Sequence, residues 1–168
     1  TQKAAEDGPT EAVGAVEAFS SDGRSGLFPE DGCKGEEEGQ TRTGGLRWVV
    51  DPIDGTSNVA RGRNRWCVSL GLLDGDRPVA GVIQAPAMNE TYTAMTGKGA
   101  FLNGKRIHAS PVSDTRSAMI EMGWSNRVPK PVFMEKMDAV VSLGAMPRSG
   151  GSGAMALADV PPVDDDLG

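Results

Sequence analysis

Trp48-Val49-Val50-Asp51-Pro52-Ile53-Asp54-Gly55-Thr56-Ser57-Asn58 is the stretch on which the reading of this chain turns. Leu46 to Val50 reads as a short apolar strand running into two carboxylates, with Pro52 fixing the chain direction between them. Gly55 permits a tight or left-handed bend, and Thr56 or Ser57 is suited to cap a following helix. Backbone N–H groups and two acids would then share one small volume, which suits a phosphate bridged by cations. Asp51 and Asp54 would repel a phosphate unless hard cations stood between them, and all-oxygen ligands favour Mg²⁺, Mn²⁺ or Ca²⁺ over zinc. The plainer reading is a strand end, a turn and a cap, which use the same residue types. An EF-hand loop is excluded, because Pro52, Ile53 and Gly55 break its alternation of ligands.

Asp51-Pro52-Ile53-Asp54-Gly55-Thr56 followed by Asn58 resembles the first signature of the inositol monophosphatase family of Mg²⁺-dependent, lithium-sensitive phosphatases. Gly35-Glu36-Glu37 is similar to that family's acidic metal motif, and Gly97 to Gly104 to its hairpin. Arg148-Ser149-Gly150-Gly151-Ser152-Gly153-Ala154 resembles its substrate-contacting segment, so the likeness runs from about Thr10 to Val160. It implies an α/β (α+β layered sandwich) fold like that of inositol monophosphatase and fructose bisphosphatase, mainly antiparallel sheet with packed helices. Residues 1–168 read as a single, incomplete domain of this kind, its C-terminal part missing.

Composition fits a soluble globular protein, 38% hydrophobic and 24% charged, and 168 residues allow one moderate core. No run is long enough to span a bilayer, and Thr1 to Asp7 lacks the features of a secretory signal, so a cytoplasmic location without membrane contact is expected. A net charge of −6 argues against nucleic-acid partners. Cys33 and Cys67 read as free thiols, Cys33 in a loop and Cys67 buried. His108 is the sole histidine and lies at a strand end without a nucleophile motif, which favours metal-activated water over Ser-His or Cys-His catalysis.

Along the chain, Thr10 to Phe19 has helical spacing, and Glu36 to Glu38 alone would be a solvated charge run. Trp66 to Leu73 and Pro78 to Ile83 flank the turn Asp74-Gly75-Asp76-Arg77. Asn89 to Met95 and Gly99 to Leu102, with the turn Asn103-Gly104, extend an antiparallel meander of four or five strands. Ala118 to Met122 is a further strand, and Pro131 to Leu143 a helix expected to pack on that sheet. A short helix follows from Ala154 to Val160 and stops at Pro161-Pro162.

The resemblance assigns roles. Glu36, Asp51 and Asp54, with the Ile53 carbonyl, would hold two or three Mg²⁺ ions, with Mn²⁺ as a substitute. Thr56 would orient the attacking water, the N–H groups of Gly55, Thr56 and Ser57 would hold phosphoryl oxygens, and Gly151 and Ser152 would line the alcohol side. The partner would be a small phosphorylated metabolite such as an inositol monophosphate, and the assembly a homodimer. Histidinol phosphate, fructose bisphosphate and 3′-phosphoadenosine phosphates are alternative substrates within the family. Two departures bear on activity. None of Trp48, Trp66 and Trp124 is followed by Asp, so the family's second signature is absent. Val13 stands where the Thr-x-x-Asp helix would carry its carboxylate. A catalytically impaired member serving as a binding or oligomerisation module, and a metal-free sugar-phosphate binder, are the rival readings.

Overall fold

The computed structural model describes residues 32–34, 45–125 and 127–158. Seven strands form one sheet in sequence order: β1 (Gly32–Lys34), β2 (Leu46–Asp54), β3 (Cys67–Asp74), β4 (Arg77–Ala85), β5 (Glu90–Met95), β6 (Gly99–Leu102) and β7 (Lys105–Ile107). β1 runs parallel to β2, and every later neighbour is antiparallel. A second sheet pairs β8 (Met119–Glu121) in parallel with β9 (Met146–Arg148). The helices are α1 (Thr56–Val59), α2 (Lys130–Ser142) and α3 (Gly153–Ala158).

The meander follows from its turns. Asp74 pairs with Arg77 around Gly75-Asp76, and Leu102 pairs with Lys105 around Asn103-Gly104. Asn103 (φ 50°) and Gly104 (φ 80°) are both left-handed, the geometry whose twist matches two antiparallel strands. The expected antiparallel sheet is therefore present, and it extends through six antiparallel strands with a parallel strand at its edge.

Three expectations are corrected, and one strand was not anticipated. β2 does not end at Val50 but continues to Asp54, and Cys33 lies in β1 rather than in a loop. β9 has no strand-like signal, since Met146-Pro147-Arg148 is too short and too mixed to alternate. α2 begins at Lys130 and lies against β9, not against the meander. Its apolar side chains point several ways: Phe133, Met137 and Val140 are half-buried, while Val132, Met134 and Val141 are exposed. Helical offsets alone could not say which surface it would meet. The expected helix over Thr10 to Phe19 lies outside the described residues.

One face of the meander carries the core of Cys67, Ala85, Tyr92 and Met155, with Ile83, Leu102 and Ile107 packed around it. Met155 comes from α3 and is fully buried, so it fastens that helix to β3 and β4. Replacing it by alanine removes buried apolar volume that the rigid sheet cannot refill. Met155→Ala is expected to cost about 2–4 kcal/mol in urea unfolding. Leu157→Ala, on the same helix but 81% exposed, should stay within about 0.5 kcal/mol of the parent.

Candidate metal and phosphate site

Side chains three apart on a regular strand point to opposite faces. Asp51 and Asp54 escape this rule, because Asp51 pairs with Ser69 and Asp54 with Cys67, a register shift that sets three steps of β2 against two of β3. Ser69 and Cys67 share a face of β3, so the bulge brings both aspartates to that same face. Its cause is Pro52, which is fully buried and has no N–H to give the ladder. Ile53 is buried between the two acids.

Asp54 is then tied to a distant segment. Its Oδ2 accepts from Ser152 Oγ at 2.6 Å and from the Ala154 amide at 2.6 Å. Ser152 is itself buried, and its Oγ accepts from the Met155 amide at 3.2 Å, which makes it the cap of α3. Gly55 follows in the left-handed region at φ 95°. A Cβ there would stand 3.0 Å from the Arg65 carbonyl and 3.2 Å from Ser152 Cβ. Both the backbone conformation and the close approach therefore require glycine.

Gly55 occupies the N-cap position of α1, with no side-chain cap bond, which corrects the expectation that Thr56 or Ser57 would cap it. The first helical bonds run from Asn58 and Val59 to the Gly55 carbonyl, leaving the amides of Thr56 and Ser57 ahead of the helix ladder. Both residues are exposed.

Asn58, three residues further on, is buried and bridges two loops. Its Nδ2 donates to the Arg65 carbonyl at 2.6 Å and to the Gly150 carbonyl at 2.8 Å. Gly151 lies against it, since a Cβ there would come within 3.1 Å of Asn58 Nδ2. Glu121, at the end of β8, accepts from Arg148 at 3.0 Å, contacts Arg65 at 3.5 Å and also accepts from the Gly150 amide. Sequence reasoning gave no role to Asn58, Arg65 or Glu121. Asn58 stood inside the quoted signature, but Glu121 carried no signal beyond its place in a strand.

The structure thus assembles Asp51, Ile53, Asp54, Gly55, Gly151 and Ser152, and places Thr56 and Ser57 at the adjoining turn. Glu36 lies outside the described residues. Among the described residues no three acidic, histidine or cysteine side chains converge on one point. The donors present nonetheless suit a hard cation: two carboxylates and a main-chain carbonyl within four residues of β2. Both bonds to Asp54 fall on Oδ2, and among the described residues Oδ1 makes no hydrogen bond.

The charge of the pair is felt by Cys67. Burial pushes its thiol from 9.0 to about 11, partly countered by the Ser152 hydroxyl 4.0 Å away and reinforced by Asp54 and Asp51. The protonated form is favoured in the folded state. Its stabilisation is present below pH 9.0 and is lost as pH rises through about 11.

The profile of the inositol monophosphatase family matches residues 1–161. The chain belongs to that family. It is 36% identical over 135 residues to a Nus factor SuhB of Xylella fastidiosa, covering 79% of this chain and 49% of that protein. A histidinol-phosphatase of Mycobacterium tuberculosis is 37% identical over 144 residues, 78% of this chain and 55% of that protein. The solved structure of an inositol monophosphatase from Anabaena superposes with a TM-score of 0.83 at 31% identity, over 90% of this chain and 62% of that one. This family member therefore spans about half the length of the curated relatives it matches, and its fold is theirs over that span.

Asn58→Ala leaves two part-buried carbonyls without their donor and should lower stability by about 1–2 kcal/mol in urea unfolding. For Cys67, iodoacetamide at pH 8 should label the native protein slowly and the urea-unfolded chain readily, as read by peptide mass. Equal rates in both states would contradict the burial and charge assigned to the thiol.

Proposed function

We propose that the protein hydrolyses a small phosphate monoester, of the inositol monophosphate kind, in a Mg²⁺-dependent reaction in which water attacks phosphorus. The observation that carries this reading is the bulged strand that puts Asp51 and Asp54 on one face beside the turn at Gly55. Bound divalent cations, two or three in number and with Mn²⁺ able to replace Mg²⁺, would supply a water of lowered pKa and neutralise the departing ester oxygen.

The chain's own residues do the holding and orienting. Asp51, Asp54 and the Ile53 carbonyl would hold the cations, and Glu36, in the segment after β1, would join them. The direction of β1 supports that last assignment: it runs parallel to β2 and its final residue, Lys34, pairs with Val49, so it points toward the end of the sheet where Asp51 stands. The amides of Gly55, Thr56 and Ser57 hold phosphoryl oxygens, and the Thr56 hydroxyl orients the attacking water. Gly151 and Ser152 flank the alcohol, with Ser152 also fixing Asp54. Family likeness supports a homodimer. A cytoplasmic setting is part of this reading. Among the described residues no helix is long and apolar enough to cross a membrane.

Phosphate release from a panel of phosphate esters, with Mg²⁺ and with EDTA, tests the reading. Asp54→Asn keeps an acceptor for Ser152 and Ala154 but removes the charge, and it should lower kcat/KM by about 100-fold or more. Activity indifferent both to the metal and to Asp54 would overturn the proposal.

A further inference from the structure

A second concave region adjoins this site and has the opposite electrostatic character. It is a cavity of about 640 Å³ whose walls include Asn58, Arg63, Asn64, Arg65, Arg148 and Gly150. Three arginines therefore line one opening. Glu121 holds two of them, contacting Arg65 at 3.5 Å and Arg148 at 3.0 Å. Arg63 is exposed at the rim, where no carboxylate among the described residues pairs with it.

The cavity is built rather than incidental. Gly150 lacks the Cβ that would collide with the Arg65 guanidinium, and its amide is held by the Glu121 carboxylate. Asn58 Nδ2 donates to the Gly150 and Arg65 carbonyls, so both of these acceptors are already engaged. The other lining residues include Asn64 and Ser149, whose side chains can donate hydrogen bonds as the arginines can. Planar guanidinium forks match carboxylate and phosphate oxygens. The region also shares walls with the candidate site, because Asn58 lies two residues after Thr56 and Gly150 directly precedes Gly151.

We infer that Arg63, Arg65 and Arg148 form an anion subsite that receives a second acidic group, carboxylate or phosphate, on the ester whose phosphate is hydrolysed. The inference rests on the phosphatase reading for the identity of the first group, while the subsite itself rests on the arginine cavity. It makes Arg63 a specificity residue: Arg65 and Arg148 are already held by Glu121, and the rim charge is the one a ligand can recruit in full.

The test uses the full-length protein, its Arg63→Gln variant, and three probes: glycerol 3-phosphate, 3-phosphoglycerate and 2,3-bisphosphoglycerate. With Mg²⁺, the ratio of kcat/KM for 3-phosphoglycerate over glycerol 3-phosphate should exceed one in the parent and fall about tenfold in R63Q, the loss expected for one charge-assisted contact. Calorimetry with EDTA at low ionic strength reads the subsite without turnover. 2,3-Bisphosphoglycerate should bind more tightly than glycerol 3-phosphate, and R63Q should weaken it by a similar factor.

Absence of phosphate release from every ester would sink the phosphatase reading alone, since the calorimetric arm still decides the subsite. An unchanged probe preference in R63Q by both measurements would overturn the inference. So would inorganic phosphate binding as tightly as the bisphosphate and with the same dependence on Arg63, for the pocket would then serve a free anion.

Discussion

The two bonds that Asp54 Oδ2 accepts from Ser152 and Ala154, both at 2.6 Å, are the constraint from which the site takes its form. They join the end of β2 to the start of α3 across about a hundred residues of chain. Charge-assisted bonds of this length are worth about 1.5–3 kcal/mol each. They fix one carboxylate oxygen, orient the other, and set the loop that contains Gly151 against the turn at Gly55. Ser152 takes part twice, since the hydroxyl that donates to Asp54 also caps the helix that Met155 anchors in the core. Helix docking and aspartate orientation are thus one event.

Around that tie the site is built mostly from polar contacts to backbone. Asn58 holds two carbonyls, and Glu121 holds an amide and two arginines, while the apolar core lies below on the face of β3 to β5. The division is physically sensible. Apolar packing is nondirectional and tolerates small shifts, whereas phosphate chemistry needs donors and acceptors held within fractions of an ångström. The cost is visible at Cys67, a buried thiol held neutral beneath two carboxylates.

The sequence made the meander legible because its signals are local: two-residue turns at Gly75-Asp76 and Asn103-Gly104, and β-rich runs between them. Asp51 and Asp54 could be picked out as a pair, but not the geometry that unites them. Spacing alone puts them on opposite faces, and only pairing with β3 exposes the bulge at Pro52. Glu121 and Arg65 were illegible for a similar reason, since their value lies in a junction between segments 56 residues apart. α2 was recognisable as a helix but was expected on the wrong sheet, because the short strand it lies against gives no periodic signal.

The order of the strands also bears on how the site comes into being. Neighbours in the large sheet are neighbours in sequence, so most of it can zip up through short-range hairpins. The Asp54 to Ser152 contact instead closes a loop of 98 residues and pays the chain entropy of that closure. The meander can therefore form as an intact scaffold before the phosphate site exists, with competence arriving only when the last short helix docks.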